Sequence, residues 1–185
     1  MIARRPADAV EQYRSVVQRI LACVTEQVLT IRAPGGGNPY GPSKFPRAMM
    51  LADGRNVSLR SPDHIQLRVL MRFELVDGKA TGTGWTARTS EYAYTLLSRT
   101  ESDVSELISY HWQPDVRPGV RIPHLHIGPA IAGSSMQIGT RTVNRIHFPT
   151  GIMSMASVVR LAIEELSVEP LRSDWQSVLA DNQVQ

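Results

Sequence analysis

An α+β fold is what this chain predicts: an antiparallel sheet of about four strands, with a long N-terminal helix and C-terminal helices packed on one face. Three observations carry that expectation. Residues 64–76 alternate apolar and polar with a period of two, Asp77-Gly78 marks a tight hairpin, and both ends of the chain repeat at the three and four residue steps of a helix. With 185 residues, 42% of them hydrophobic, the chain can bury one core and is short for two, so a single domain over 1–185 is expected.

The N-terminal helix is expected over about 7–30. Pro6 suits a first helical turn, and Val10, Tyr13, Val17, Ile20 and Val24 fall on one stripe. A stripe of this kind either covers a sheet or docks a partner, a second copy included. Glycine and proline then crowd RAPGGGNPYGPSKFP, an irregular loop over about 32–46. It is not a nucleotide-triphosphate loop. That motif needs lysine directly before serine or threonine so that the amine meets the outer phosphates, and here Ser43 precedes Lys44.

The sheet is expected over about 64–130. Ile65, Leu67, Val69, Met71, Phe73 and Leu75 share one face of its first strand, and Gln66, Arg68, Arg72 and Glu74 share the other. The return strand runs from Thr81 to Leu97. Strict pairing would turn Gly82, Gly84, Thr86 and Arg88 onto the apolar face, so a bulge near Thr81–Trp85 is expected, leaving Trp85 and Ala87 inward. Tyr92 and Tyr94 then share a face, fit for core packing or for stacking a base. Two more strands follow at about 106–113 and 123–130. Ser154 caps a helix whose stripe is Met155, Val159, Ala162, Ile163 and Leu166, Pro170 closes it, and a short helix over about 172–180 completes C-terminal helices spanning about 154–181.

Composition narrows the function classes. No run of eighteen apolar residues occurs and the first residues lack the apolar stretch of a signal peptide, so a cytoplasmic protein with no membrane partner is expected. The single cysteine, Cys23, lies in a helical stretch and makes no internal disulfide. Net charge is +3, and eighteen of the twenty basic residues are arginine, whose planar fork grips phosphates and carboxylates. A GC-rich genome would give the same ratio without any such partner.

The histidines are the chemical signal. If SELISYHW and PHLHIG pair as an antiparallel hairpin, Ile108, Tyr110, Trp112, Leu125 and Ile127 face one way and Ser109, His111, His124 and His126 the other, with His111 opposite His124. Three chemistries suit this. In metal-free RNA cleavage, His111 and His124 exchange protons, His126 orients them or binds phosphate, and Arg68, Arg72 and Arg88 steady the charge developing on phosphorus. In a metal enzyme, His111, His124 and His126 form a three-imidazole platform for zinc or iron. The third is inert packing. His147, Thr150 and Gly151, in the run IHFPTGIMS before the last long helix, suggest a phosphate at a helix N-terminus, or merely the turn into it. No carboxylate pair is spaced for two metals, and no GxSxG elbow occurs.

The order YHWQ, PHLH, then HFPTG leading into VVRLAIEELSVEPL resembles a family of small uncharacterised bacterial proteins, over roughly Tyr92 to Leu179. More distantly it is similar to TumE-type toxins of toxin–antitoxin pairs, whose short antiparallel sheets carry a histidine cluster. That resemblance implies an RNA-directed or otherwise toxic activity, with His111, His124 and His126 as the inheriting positions; the expectation that goes with it is no cofactor, with zinc or iron as the alternative, and RNA or an antitoxin-like protein as partner. Residues and resemblance together make a small toxin-like ribonuclease the leading expectation. A non-catalytic interaction or oligomerisation protein and a three-histidine metal enzyme stand beside it.

Overall fold

The alternating run that begins at Ile65 builds the longest strand of a large antiparallel sheet, to which the rest of the chain is fitted. The computed structural model describes residues 2–43, 45–78, 84–101, 103–115, 119–133 and 136–181. In chain order they form α1 (Pro6–Leu21), β1 (Leu29–Arg32), β2 (Arg47–Leu51), β3 (Val57–Ser58), β4 (Ile65–Asp77), β5 (Trp85–Arg99), β6 (Val104–Trp112), β7 (His124–Ile127), α2 (Pro129–Ala132), β8 (Gln137–Ile138), β9 (Arg141–Thr142), β10 (Phe148–Pro149), α3 (Met155–Glu165) and α4 (Trp175–Asp181). The main sheet runs β1-β2-β4-β5-β6-β7-β10, with β3 also on β4, and β8-β9 is a separate two-stranded ribbon. The α+β class holds, but among the described residues the sheet has eight strands, about twice the number expected.

The extra strands come from short segments with little pattern. Residues 22–32 do not continue α1 to position 30. The Gln18 side chain donates to the Gln27 carbonyl at 3.0 Å and accepts from the Leu29 amide at 2.8 Å, so the chain doubles back and Leu29 opens β1. Val24, Thr25 and Val28 are weak helix formers, which favours this end. The glycine- and proline-rich loop that follows is pinned by Arg47, a fully buried guanidinium that donates to the carbonyls of Pro39, at 2.7 Å, and Gly41.

One face of the sheet carries the helices. Val10, Tyr13, Val17 and Ile20 of α1 and Val158, Val159 and Ala162 of α3 close over Leu67, Val69, Met71, Phe73, Tyr94 and Leu96, with Val178 and Leu179 of α4 completing one core. The α1 stripe therefore covers the sheet. Tyr13 meets Phe73 with ring centroids 5.0 Å apart and bonds Thr89 through its hydroxyl at 2.6 Å. Tyr92 and Tyr94 are buried in this core, stacked at 4.6 Å, and Tyr92 accepts the Met153 amide at 2.8 Å, so neither is placed to stack a base.

The alternation is re-phased by two bulges. Phe73 pairs Thr89 whereas Arg72 pairs Glu91, so Ser90 is an extra residue and a bulge lies there, while most of the stretch where one was expected, near Thr81–Trp85, is not described. Ala87 does pack toward the core. Thr81 and Gly82 lie outside the described residues. Between β5 and β6, Leu96 pairs Ile108 and Leu97 pairs Glu106, which leaves Leu107 unmatched. Among the described residues, no helix is long and apolar enough to cross a membrane.

Candidate metal centre

The face turned away from α1 and α3 collects the histidines. β6 and β7 pair with His111 opposite His124, Tyr110 opposite Leu125 and Ser109 opposite His126, the register expected from the sequence. Tyr110 and Leu125 go to the core, so the alternation of a pleated strand sends Ser109, His111, His124 and His126 to the other side. β10 adds a fourth imidazole. Phe148 pairs Leu125 and Pro149 pairs His124, which carries His147 alongside His126.

Four rings thus meet. The His111 ring lies 5.6 Å from that of His124 and 5.1 Å from that of His126, His124 and His126 are 5.0 Å apart, and His147 stands 4.9 Å from His124 and 4.5 Å from His126. One ring nitrogen each from His111, His124 and His126 falls within 4.8 Å of the other two. Tetrahedral zinc places its nitrogens roughly 3.3 Å apart, so rotation of the rings by about an ångström closes the set.

Two of those three rings, His111 and His124, are also held by hydrogen bonds. His124 Nδ1 lies 2.8 Å from the Ile122 carbonyl, which accepts only from an N–H, so the proton sits on Nδ1 and Nε2 keeps its lone pair. His111 Nε2 meets Ser109 Oγ at 2.7 Å, and Ser109 Oγ meets the buried Thr95 Oγ1 at 2.9 Å. The Asn144 backbone acts on the His126 ring in the opposite sense to burial, favouring its charged form. An outer partner that fixes tautomer and orientation is what metal-ligating imidazoles require.

Burial and mutual repulsion oppose protonation. Burial first, then His126, His124 and Arg68, bring the pKa of His111 down to about 4. His126 is lowered by burial and by His147 and His124, and His147 is lowered by slight burial, His124 and Arg141.

The segment between β7 and β10 borders the cluster. It leaves β7 at Gly128, where the chain lies so close to β6 that a Cβ would overlap the Glu106 carbonyl, and the Gly128 amide donates to the Leu107 carbonyl at 2.7 Å. It returns past Asn144 to His147. A cleft of about 590 Å³ opens here between Thr140, Arg141, Thr142, Asn144 and Arg145. Among the described residues, the Asn144 side-chain oxygen is buried without a hydrogen-bond partner. A cleft of about 570 Å³ at the other end of the sheet is lined by Glu26, Arg55 and Arg60, and neither cleft has a histidine in its wall.

The expected arginines disperse. Arg68 pairs Thr95 on the histidine face and acts electrostatically on both His111 and Glu106. Arg72 lies two residues beyond Leu70 along β4 and is 3.6 Å from Glu91. Arg88 is engaged by Glu74 at 2.5 Å, five residues from Ala93, which pairs His111. The expected phosphate seat at Thr150 and Gly151 is displaced: α3 starts only at Met155, its N-cap Ser154 accepts from the Ser157 amide at 3.1 Å, and the Thr150 amide donates to the Pro123 carbonyl at 2.9 Å.

Arg141, Asn144, Arg145 and Glu106 were not singled out by sequence. The first three sit in a stretch with no periodic pattern. Glu106 would point to the core by simple alternation from His111, and the unmatched Leu107 turns it to the histidine face. Comparison with protein-family models, curated protein sequences and solved structures finds no match.

Proposed function

We propose that this chain is a metal-dependent hydrolase in which His111, His124 and His126 hold a single ion of the zinc class, with a further position open to water. The observation that carries this is the convergence of the three rings, one nitrogen of each within 4.8 Å of the other two, with His111 held by Ser109 and His124 by the Ile122 carbonyl. Three neutral imidazoles would leave a bound ion its full charge, and the ion would supply Lewis acidity toward water and attraction for an anionic ester. His147, the most exposed of the four rings, stands beside His124 and His126 where it can take the proton of that water.

Elemental analysis of untagged protein tests this. About one equivalent of zinc or iron is expected, falling below about a tenth in His124→Ala. Metal-free protein whose melting temperature does not respond to added zinc or iron would sink it.

The second reading is a toxin-like ribonuclease working without metal, and the place of Arg68 on the histidine face of β4, within electrostatic reach of His111, favours it, since a cation there would stabilise charge on phosphorus. RNA cleavage that survives exhaustive chelation and disappears in His124→Ala would select it over the metal centre.

A further inference from the structure

We infer that the ligand of this face is a single-stranded polynucleotide lying across the strands, its backbone gripped on one flank by Arg68 and on the other by Arg141 and Arg145. The inference rests on the hydrolytic centre proposed above as the place where the bond is cut. It starts from the lateral order of side chains. Arg68 on β4, Thr95 on β5, Ser109 on β6 and His126 on β7 pair in one continuous row, and His147 extends it. Strands are spaced about 4.8 Å apart, so Arg68 and His147 stand about 19 Å apart with the imidazoles toward one end. A free phosphate or a mononucleotide reaches one flank only.

The far flank is cationic and open. No carboxylate lies within ion-pair distance of Arg141 or Arg145 among the described residues, whereas Arg72, Arg88, Arg160 and Arg172 are each held by one. Both arginines line the cleft in the segment between β7 and β10, with Thr140, Thr142 and Asn144 offering neutral polar groups between them, and Arg141 acts electrostatically on His147. In a polynucleotide every linkage is both an anion and an ester. Setting one linkage over the imidazoles therefore sets its neighbours over the two arginine flanks, a match that an acidic peptide lacks because its charges are not the bonds to be broken. His124 is almost fully buried, and a flexible single strand can bend toward it more readily than a stiff duplex.

The test is fluorescence anisotropy on chelated, metal-free protein with a labelled oligoribonucleotide of about a dozen bases, the matching deoxyribonucleotide, a blunt duplex, and inorganic phosphate as competitor. Arg68→Gln should weaken single-strand binding about fivefold and the pair Arg141→Gln with Arg145→Gln about tenfold or more, each reducing the salt slope by about 0.7 for every phosphate left without its cation. Arg160→Gln, on the helical side, should change nothing, and millimolar phosphate should compete poorly. Unchanged urea midpoints show that the variants are folded. Affinity unaffected by either flank, loss on one flank alone, or a duplex bound as tightly as the strand would overturn the inference. Because no metal is present in the assay, a failure of the metal centre in elemental analysis is read separately from a failure here.

Discussion

His111 is the residue at which burial and function pull hardest against each other. Its neutral form is the one that can ligate, and the fold enforces it by withdrawing the ring from water beside two other imidazoles and Arg68. The consequence is a pH-dependent stability of definite sign. Between pH 6.5 and about 4 the unfolded chain takes up a proton that the folded ring refuses, so stability is full above pH 6.5 and declines as the pH falls through that window. The whole displacement corresponds to roughly 3 kcal/mol, and solvent screening of a ring not fully withdrawn reduces the expected loss to about 1–2 kcal/mol. Urea titrations of metal-free protein at pH 7 and pH 4.5 should show it, and His111→Asn should lose most of the difference. Ser109 acts on the same ring at one remove. Ser109→Ala breaks the link from His111 to Thr95 and should cost about 1 kcal/mol of stability and 10–100-fold in zinc affinity. Equal zinc affinity in the two proteins, measured by competition with a chromogenic chelator, would show that the hydroxyl only fills space.

The β6–β7 pair was legible because its two faces differ so sharply. Tyr110 and Leu125 on one side and His111, His124 and His126 on the other leave only one sensible register, and the strands adopt it. The strand from Ile65 and the cap at Ser154 were equally plain. What escaped the pattern were elements decided by distant contacts. β2, five residues long, alternates buried and half-buried positions only because β1 and β4 flank it, and β10 is two residues whose place is set by pairing with β7. The bulges at Ser90 and Leu107 add single residues that no local signal announces. Gly128 ties one such hidden geometry to the site. A side chain there meets the Glu106 backbone, so Gly128→Ala should push the departing segment off β6 and destabilise the fold by about 2–4 kcal/mol, read by urea midpoint. A change below about 0.5 kcal/mol would mean that the segment shifts freely.

Taken whole, the molecule divides its labour between the two sides of one sheet. The helical side holds the core, with Phe73, Tyr94 and Leu96 buried against α1 and α3, and the other side holds the imidazoles and their arginines. Changes on opposite sides should therefore add. Phe73→Ala is expected to cost about 3–5 kcal/mol with little effect on zinc affinity of the folded fraction, His126→Ala to abolish tight zinc binding at small cost in stability, and the double variant to show the sum within about 0.5 kcal/mol. A larger coupling in urea titrations would mean that the two sides communicate through the strands.

The rims of the sheet are unequal in a way that bears on assembly. Beside the imidazoles the last rung is Phe148-Pro149, and proline has no amide hydrogen to offer a newcomer. At the opposite rim, Leu29–Arg32 is bonded on one side only among the described residues, by β2. Any lengthening of the sheet by a second copy would thereby be favoured at the border remote from the imidazoles.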